Sequence, residues 1–127
     1  MTRRKRTIVG LLLGVVLRTP VALAAPAVVA DVQVRPVAGG EFVLRLQSTA
    51  SQAFDVLPAP RGQFALRLYQ ARLGALPRMV ETPFGRAVLA EERAGNVVLH
   101  LTLTDPAVRL RAVQGANPNV VEIRASR

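Results

Sequence analysis

From residue 28 onward, apolar and polar positions alternate with a period of two. Phe42, Leu44 and Leu46 alternate with Val43, Arg45 and Gln47, and Phe64, Leu66 and Leu68 with Ala65, Arg67 and Tyr69. Val97, Leu99, Leu101 and Leu103 alternate with Val98, His100 and Thr102, and Val121 and Ile123 with Glu122 and Arg124. Successive side chains of a strand point to opposite faces, so each run predicts a strand with one buried face. Shorter strands are predicted over residues 28–35, 53–57, 86–92 and 108–113. Turn residues separate them: Gly39-Gly40, Pro58-Ala59-Pro60-Arg61-Gly62, Gly95-Asn96, Asp105-Pro106 and Gly115-Ala116-Asn117-Pro118-Asn119. No window carries a sustained helical stripe, and residues 70–76 have room for two helical turns at most before Pro77.

The strand pattern contains an echo. Glu41-Phe42-Val43-Leu44-Arg45-Leu46 aligns with Asn96-Val97-Val98-Leu99-His100-Leu101 at an offset of 55. Phe64-Ala65-Leu66-Arg67-Leu68 falls opposite Val120-Val121-Glu122-Ile123-Arg124 within a residue of the same offset. Two similar halves, packed face to face, bury the apolar rows of both. The expected fold is therefore all-β: a small β-sandwich of about eight strands in two similar halves.

The first 24 residues do not fit this pattern. Thr2-Arg3-Arg4-Lys5-Arg6-Thr7 is a basic segment, residues 8–17 are an apolar run, and Ala22-Leu23-Ala24 has the small-x-small form of a signal-peptidase site. The apolar run is about half of the roughly 20 residues needed to cross a bilayer, so it is not a stable transmembrane anchor. The expected organisation is a signal peptide over residues 1–24 and one domain over 25–127, exported to the periplasm or cell envelope. The split also changes how the charge reads. The whole chain carries +9, but from Ala25 on there are 12 Arg, no Lys and 8 acids, leaving +4 with the signs interspersed. That is a mildly basic surface and not a nucleic-acid stripe. Without cysteine, the domain has no disulfide, thiolate catalysis or Cys-ligated zinc, and its core alone must hold it together.

The strand order resembles that of the AMIN domain, a small periplasmic β-sandwich found beside N-acetylmuramoyl-L-alanine amidases and in type IV pilus secretins. The segments that carry the resemblance are Val32-Gln33-Val34-Arg35, Phe42-Val43-Leu44-Arg45-Leu46, Pro60-Arg61 leading into Phe64-Ala65-Leu66-Arg67-Leu68, Val97-Val98-Leu99-His100-Leu101 and Val121-Glu122-Ile123. The resemblance covers essentially all of residues 28–125. The chain departs from the family at Arg67, where the family often carries an acid. The resemblance implies two similar four-stranded sheets. It also implies a targeting module without activity of its own that binds peptidoglycan or another anionic envelope polymer. The alternative is a protein-docking subunit of a secretin, pilus or amidase assembly.

The sequence offers little catalytic chemistry. His100 is the single histidine, predicted on the face opposite Leu99 and Leu101, and a lone His cannot build a multi-His zinc site. There is no Gly-x-Ser-x-Gly, Walker or Gly-x-Gly-x-x-Gly sequence. The adjacent acids Glu91 and Glu92 point to opposite faces of their strand and cannot act as a pair. No enzyme, metal or cofactor is expected. With no Trp and one Tyr, stacking on sugars or bases is poorly supplied, whereas guanidinium forks fit anions. Arg45 and Arg67 lie opposite the apolar rows of their strands; if those strands are neighbours they form an exposed basic pair beside Tyr69. Arg109 and Arg111, two apart, form a second pair on another face. The candidate ligand-binding residues are therefore Arg45, Arg67, Tyr69, Arg109 and Arg111, with the Arg45–Arg67 pair preferred.

Intact-mass analysis of the exported protein is expected to give a chain that starts at Ala25; full-length chain confined to the cytosol would contradict the export reading.

Overall fold

The computed structural model describes residues 25–37, 39 and 41–126, and they form ten strands and no helix. The expected signal segment lies outside the described residues. The strands are β1 (Ala27–Val37), β2 (Glu41–Ser48), β3 (Phe54–Leu57), β4 (Gln63–Leu68), β5 (Ala71–Leu73), β6 (Met79–Thr82), β7 (Gly85–Glu91), β8 (Val97–Leu103), β9 (Arg109–Gln114) and β10 (Val120–Ser126). They build two five-stranded sheets, in the orders β9-β10-β2-β1-β5 and β3-β4-β8-β7-β6. Every pairing is antiparallel except the short parallel contact of β1 with β5.

The alternation does what its period dictates. Leu44 and Ile123 oppose each other in the first sheet, and Leu66 and Leu99 in the second; all four are fully buried. Leu46, Leu68, Leu101, Val97 and Val121 join them in one cluster between the sheets. Phe42 and Phe64, expected in this core, are half-buried and pack against its margin. The centre of the sandwich is therefore aliphatic, as a chain with 4% aromatic residues requires.

The echo is present in the topology, with two adjustments. Each half of the chain contributes strands to both sheets, three to one and two to the other, instead of each half forming one sheet. β9-β10-β2-β1 of the first sheet corresponds, position for position, to β3-β4-β8-β7 of the second. The pair Leu44–Ile123 then corresponds to Leu99–Leu66, so Phe64 is equivalent to Val121, one residue beyond the alignment the sequence suggested.

Two elements depart from the pattern reading. Within residues 70–76 the chain forms the three-residue strand β5, not helical turns: Ala71, Arg72 and Leu73 pair with Ala27, Val28 and Val29. β1 carries a bulge, with Val29 opposite Ser48 and Asp31 opposite Gln47. The extra residue, Ala30, shifts the phase of the strand. Val29 faces the core before it and Val32 and Val34 after it, which sends Gln33 and Arg35 to the outer face.

At the tight turn from β6 to β7, a Cβ on Gly85 would collide with the Thr102 carbonyl oxygen of β8, so only glycine permits this approach.

Leu44→Ala or Leu101→Ala removes most of a fully enclosed side chain, and each is expected to cost about 2–5 kcal/mol in denaturant unfolding.

Candidate functional site

Directly opposed residues of antiparallel strands share a face. The registers therefore assign each arginine to a side of the sandwich. On the outer face of the first sheet, one row runs Arg111, Arg124, Val43, Arg35 and the next Val113, Glu122, Arg45, Gln33. Arg109 lies one row further, opposite Ser126. Arg72 of β5, exposed and paired with Val28, joins them at the other edge, so six arginines share this face with Asp31, Glu41 and Glu122 as its acids. The outer face of the second sheet carries Arg67 and Arg86 with Asp55 and Glu81.

This assignment corrects the expected pairing. Arg45 is in β2 and Arg67 in β4, on opposite faces of the sandwich, so they do not form a basic pair and Tyr69 does not lie beside Arg45. Arg45 instead shares its face with Arg109 and Arg111, which the sequence pattern alone assigns to a different face. Two further arginines, Arg35 and Arg124, were not singled out in the sequence. Both alternate in phase with the polar face of their strands, but nothing local identifies which strands lie side by side.

The partners of these side chains separate them further. Arg67 donates from Nε to Glu92 Oε1 at 3.1 Å and from Nη2 to Glu92 Oε2 at 3.5 Å. Tyr69 Oη donates to Asp55 Oδ2 at 3.4 Å, across from Arg67 on β3. Glu92 chiefly, and the Tyr69 hydroxyl after it, hold the Arg67 guanidinium above its ordinary range. A pKa raised in the folded state adds stability that is complete below the ordinary arginine value and lost only as pH rises through the raised one. Arg67 therefore does not titrate near neutrality, and its hydrogen-bonding capacity is directed at its own domain. Arg86 is likewise paired, with Glu81 at 2.8 Å.

On the arginine-rich face, Arg124 Nη2 donates to Glu122 Oε1 at 3.0 Å. Arg35 Nη2 donates to Gln33 Oε1 at 3.1 Å, and Gln33 Nε2 donates in turn to Asp31 Oδ2 at 2.8 Å. Arg45, Arg109 and Arg111 have no hydrogen bond or ion pair to any of the described residues. Arg45 stands directly opposite Glu122, yet that carboxylate is bound by Arg124.

Beside Arg45 the surface dips into an open cleft of about 340 Å³ lined by Arg35, Arg45, Gly115, Ala116, Asn117, Val120 and Glu122. Its far wall is the β9–β10 turn. Gly115 N donates to Val120 O and Val120 N to Asn117 O, and Asn119 N donates to Asn117 Oδ1. A Cβ on Gly115 would come within 3.2 Å of Val120. The turn is anchored from below by Gln52, a buried polar side chain absent from the sequence-based candidates. Gln52 Nε2 donates to Ala53 O and Tyr69 O, both at 2.8 Å, and Ser48 Oγ donates to its Oε1. Its backbone N–H donates to Pro118 O, and its carbonyl accepts from Gln114 Nε2, which also reaches Pro118 O.

His100 is exposed on the outer face of the second sheet, between Ala65 and Val88. Glu91 and Glu92 serve separate partners: Glu91 Oε2 accepts from Leu73 N at 2.7 Å, and Glu92 binds Arg67. Among the described residues, no group of three His, Cys, Asp or Glu side chains is placed to hold a metal ion. Comparison of the chain with protein-family models, curated proteins and solved structures finds no match.

Gln52→Ala removes the side-chain donor to the Tyr69 carbonyl and one of the two donors to the Ala53 carbonyl, which keeps the Tyr69 N–H. It is expected to lower stability by about 1–3 kcal/mol, read by denaturant unfolding, and to speed amide exchange at Gly115 and Val120.

Proposed function

We propose that this domain is a non-catalytic targeting module of the cell envelope that holds peptidoglycan or an associated anionic polymer on the outer face of β9-β10-β2-β1. The observation that carries the reading is the segregation of arginines: Arg45, Arg109 and Arg111 share one face and have no partner among the described residues, while Arg67 and Arg86 on the other face are neutralised by acids. Guanidinium groups bind carboxylate and phosphate oxygens in forked pairs, and several of them on one sheet face offer more than one such contact to a polymer. The resemblance to the AMIN domain and the signal-like start of the chain point to the same compartment and ligand class.

Each exposed charge contact is worth about 1 kcal/mol or less, so retention on the polymer is multivalent and weakens as salt screens it. A second reading, docking on a secretin, pilus or amidase assembly, draws on β9. This six-residue strand is at the edge of its sheet and next to the arginine rows, where an extended partner strand can add.

Co-sedimentation with purified sacculi across a salt series tests the first reading. Wild type is expected to sediment at low salt and be released as salt rises. The Arg109→Ala, Arg111→Ala double variant and Arg45→Ala are expected to be retained less, by up to about 1 kcal/mol per contact removed. Arg67→Ala is expected to behave as wild type. Salt-insensitive retention, or an Arg67→Ala effect as large as that of Arg45→Ala, would rule out this face. A wild type that does not sediment, but is captured by secretin or pilus subunits, would favour the second reading.

A further inference from the structure

The cleft beside Arg45 has a more specific chemistry than the open face around it. Arg45 is partly buried and has five N–H donors with no acceptor among the described residues. The carboxylate directly across from it, Glu122, is taken by Arg124. Arg35, the second cation of the cleft, is steadied by the Gln33–Asp31 relay. The opposite wall is the β9–β10 turn, held in place by Gln52 and Gln114. The cleft is thus a preorganised recess with an uncommitted guanidinium, and at about 340 Å³ it is near the small end of ligand pockets. It has room for a terminal group of a ligand.

The sign of its lining narrows the ligand further. Two cations and one acid meet there. Glu122, its side chain only 20% exposed and its Oε1 bound by Arg124, keeps its second oxygen without a described partner, where an N–H donor is favoured over a further negative charge. A tetrahedral phosphate carrying extra charge is disfavoured by that carboxylate. A planar carboxylate whose neighbouring atom bears an N–H satisfies both sides, with its oxygens on the arginines and its N–H on Glu122. We infer that this cleft binds the free carboxy end of a peptide, through Arg45 and Arg35 on the carboxylate and Glu122 on the last amide N–H. The inference rests on the envelope-polymer reading, within which it selects the peptide portion of the polymer over its sugars and over phosphorylated chains.

The test is an amide-resolved NMR titration of the mature domain with three probes: acetyl-D-Ala-D-Ala, its C-terminal amide and inorganic phosphate. The free-carboxylate peptide is expected to shift the amides of Gly115, Ala116, Asn117 and Val120. The amide analogue and phosphate are expected to bind at least about tenfold more weakly, since each loses one half of the match. Arg45→Lys keeps the charge but not the fork and is expected to weaken peptide binding about tenfold, with the rest of the spectrum unchanged as evidence of folding. Glu122→Gln is expected to narrow the gap between peptide and phosphate. An amide analogue that binds as well as the free acid, or phosphate that shifts the same amides more strongly, overturns the proposal. A wild type that sediments with sacculi but does not respond to the peptide overturns the cleft and leaves the arginine face standing. A response to the peptide without sedimentation overturns the face and leaves the cleft.

Discussion

One buried amide sits where the two sheets and the cleft meet. After Ser48 the chain leaves the first sheet and must cross to β3 at the edge of the second, and Gln52 lies in that crossing. Its side chain bonds Ser48 on the first sheet and the Ala53 and Tyr69 carbonyls beside the second, and its backbone bonds the β9–β10 turn through Pro118 and Gln114. A polar group enclosed this fully is tolerated only when its hydrogen bonds are met, and meeting them fixes several segments at once. An aliphatic core of Leu, Val and Ile supplies most of the cohesion but little directional information. The Gln52 network supplies direction at one end of the sandwich, where the turn becomes a wall of the cleft.

The interleaving of the halves has a consequence for charge. Because β2 pairs with β10 and β4 with β8, the arginines of β2, β9 and β10 gather on one sheet, and Arg67 is carried to the other. There it meets Glu92, Tyr69 and Asp55 and becomes part of the scaffold. The two outer faces of a pseudo-symmetric fold thus differ: the arginines of one, Arg67 and Arg86, are both paired with acids, and the other keeps cations without a partner among the described residues. A face of unpaired cations and an ion-pair network are built from the same residue type and differ only in whether an acid is within reach.

The edges are handled by ordinary means. β3, β5 and β6 are four, three and four residues long, too short to present a long template for pairing. β9 is longer, but arginines at alternate positions discourage apolar strands from adding and favour an acidic one. The strand that most needs protection from aggregation is therefore also the one best suited to electrostatic recognition.

The sequence by itself determined the class of the fold, most of the strands and most of the core, because period-two alternation is a local property. Leu44, Leu66, Leu99 and Ile123 are buried for reasons visible within five residues of each. It also determined that arginine is the available chemistry, since Lys, Trp and Cys are missing from the domain and His and Tyr occur once each. The short strands β5 and β6 escaped the pattern, because three or four residues are too few to establish a period. The bulge at Ala30 escaped it because a single inserted residue reverses the phase without altering the composition. The choice of neighbours was beyond the sequence altogether. Strand pairing joins residues dozens of positions apart, and the alternation of β2 is equally satisfied beside β4 or beside β10. Tertiary structure made that choice. With it came the separation of Arg45 from Arg67, the union of Arg45 with Arg109 and Arg111, and the cleft lined by three strands and the turn that leads into one of them.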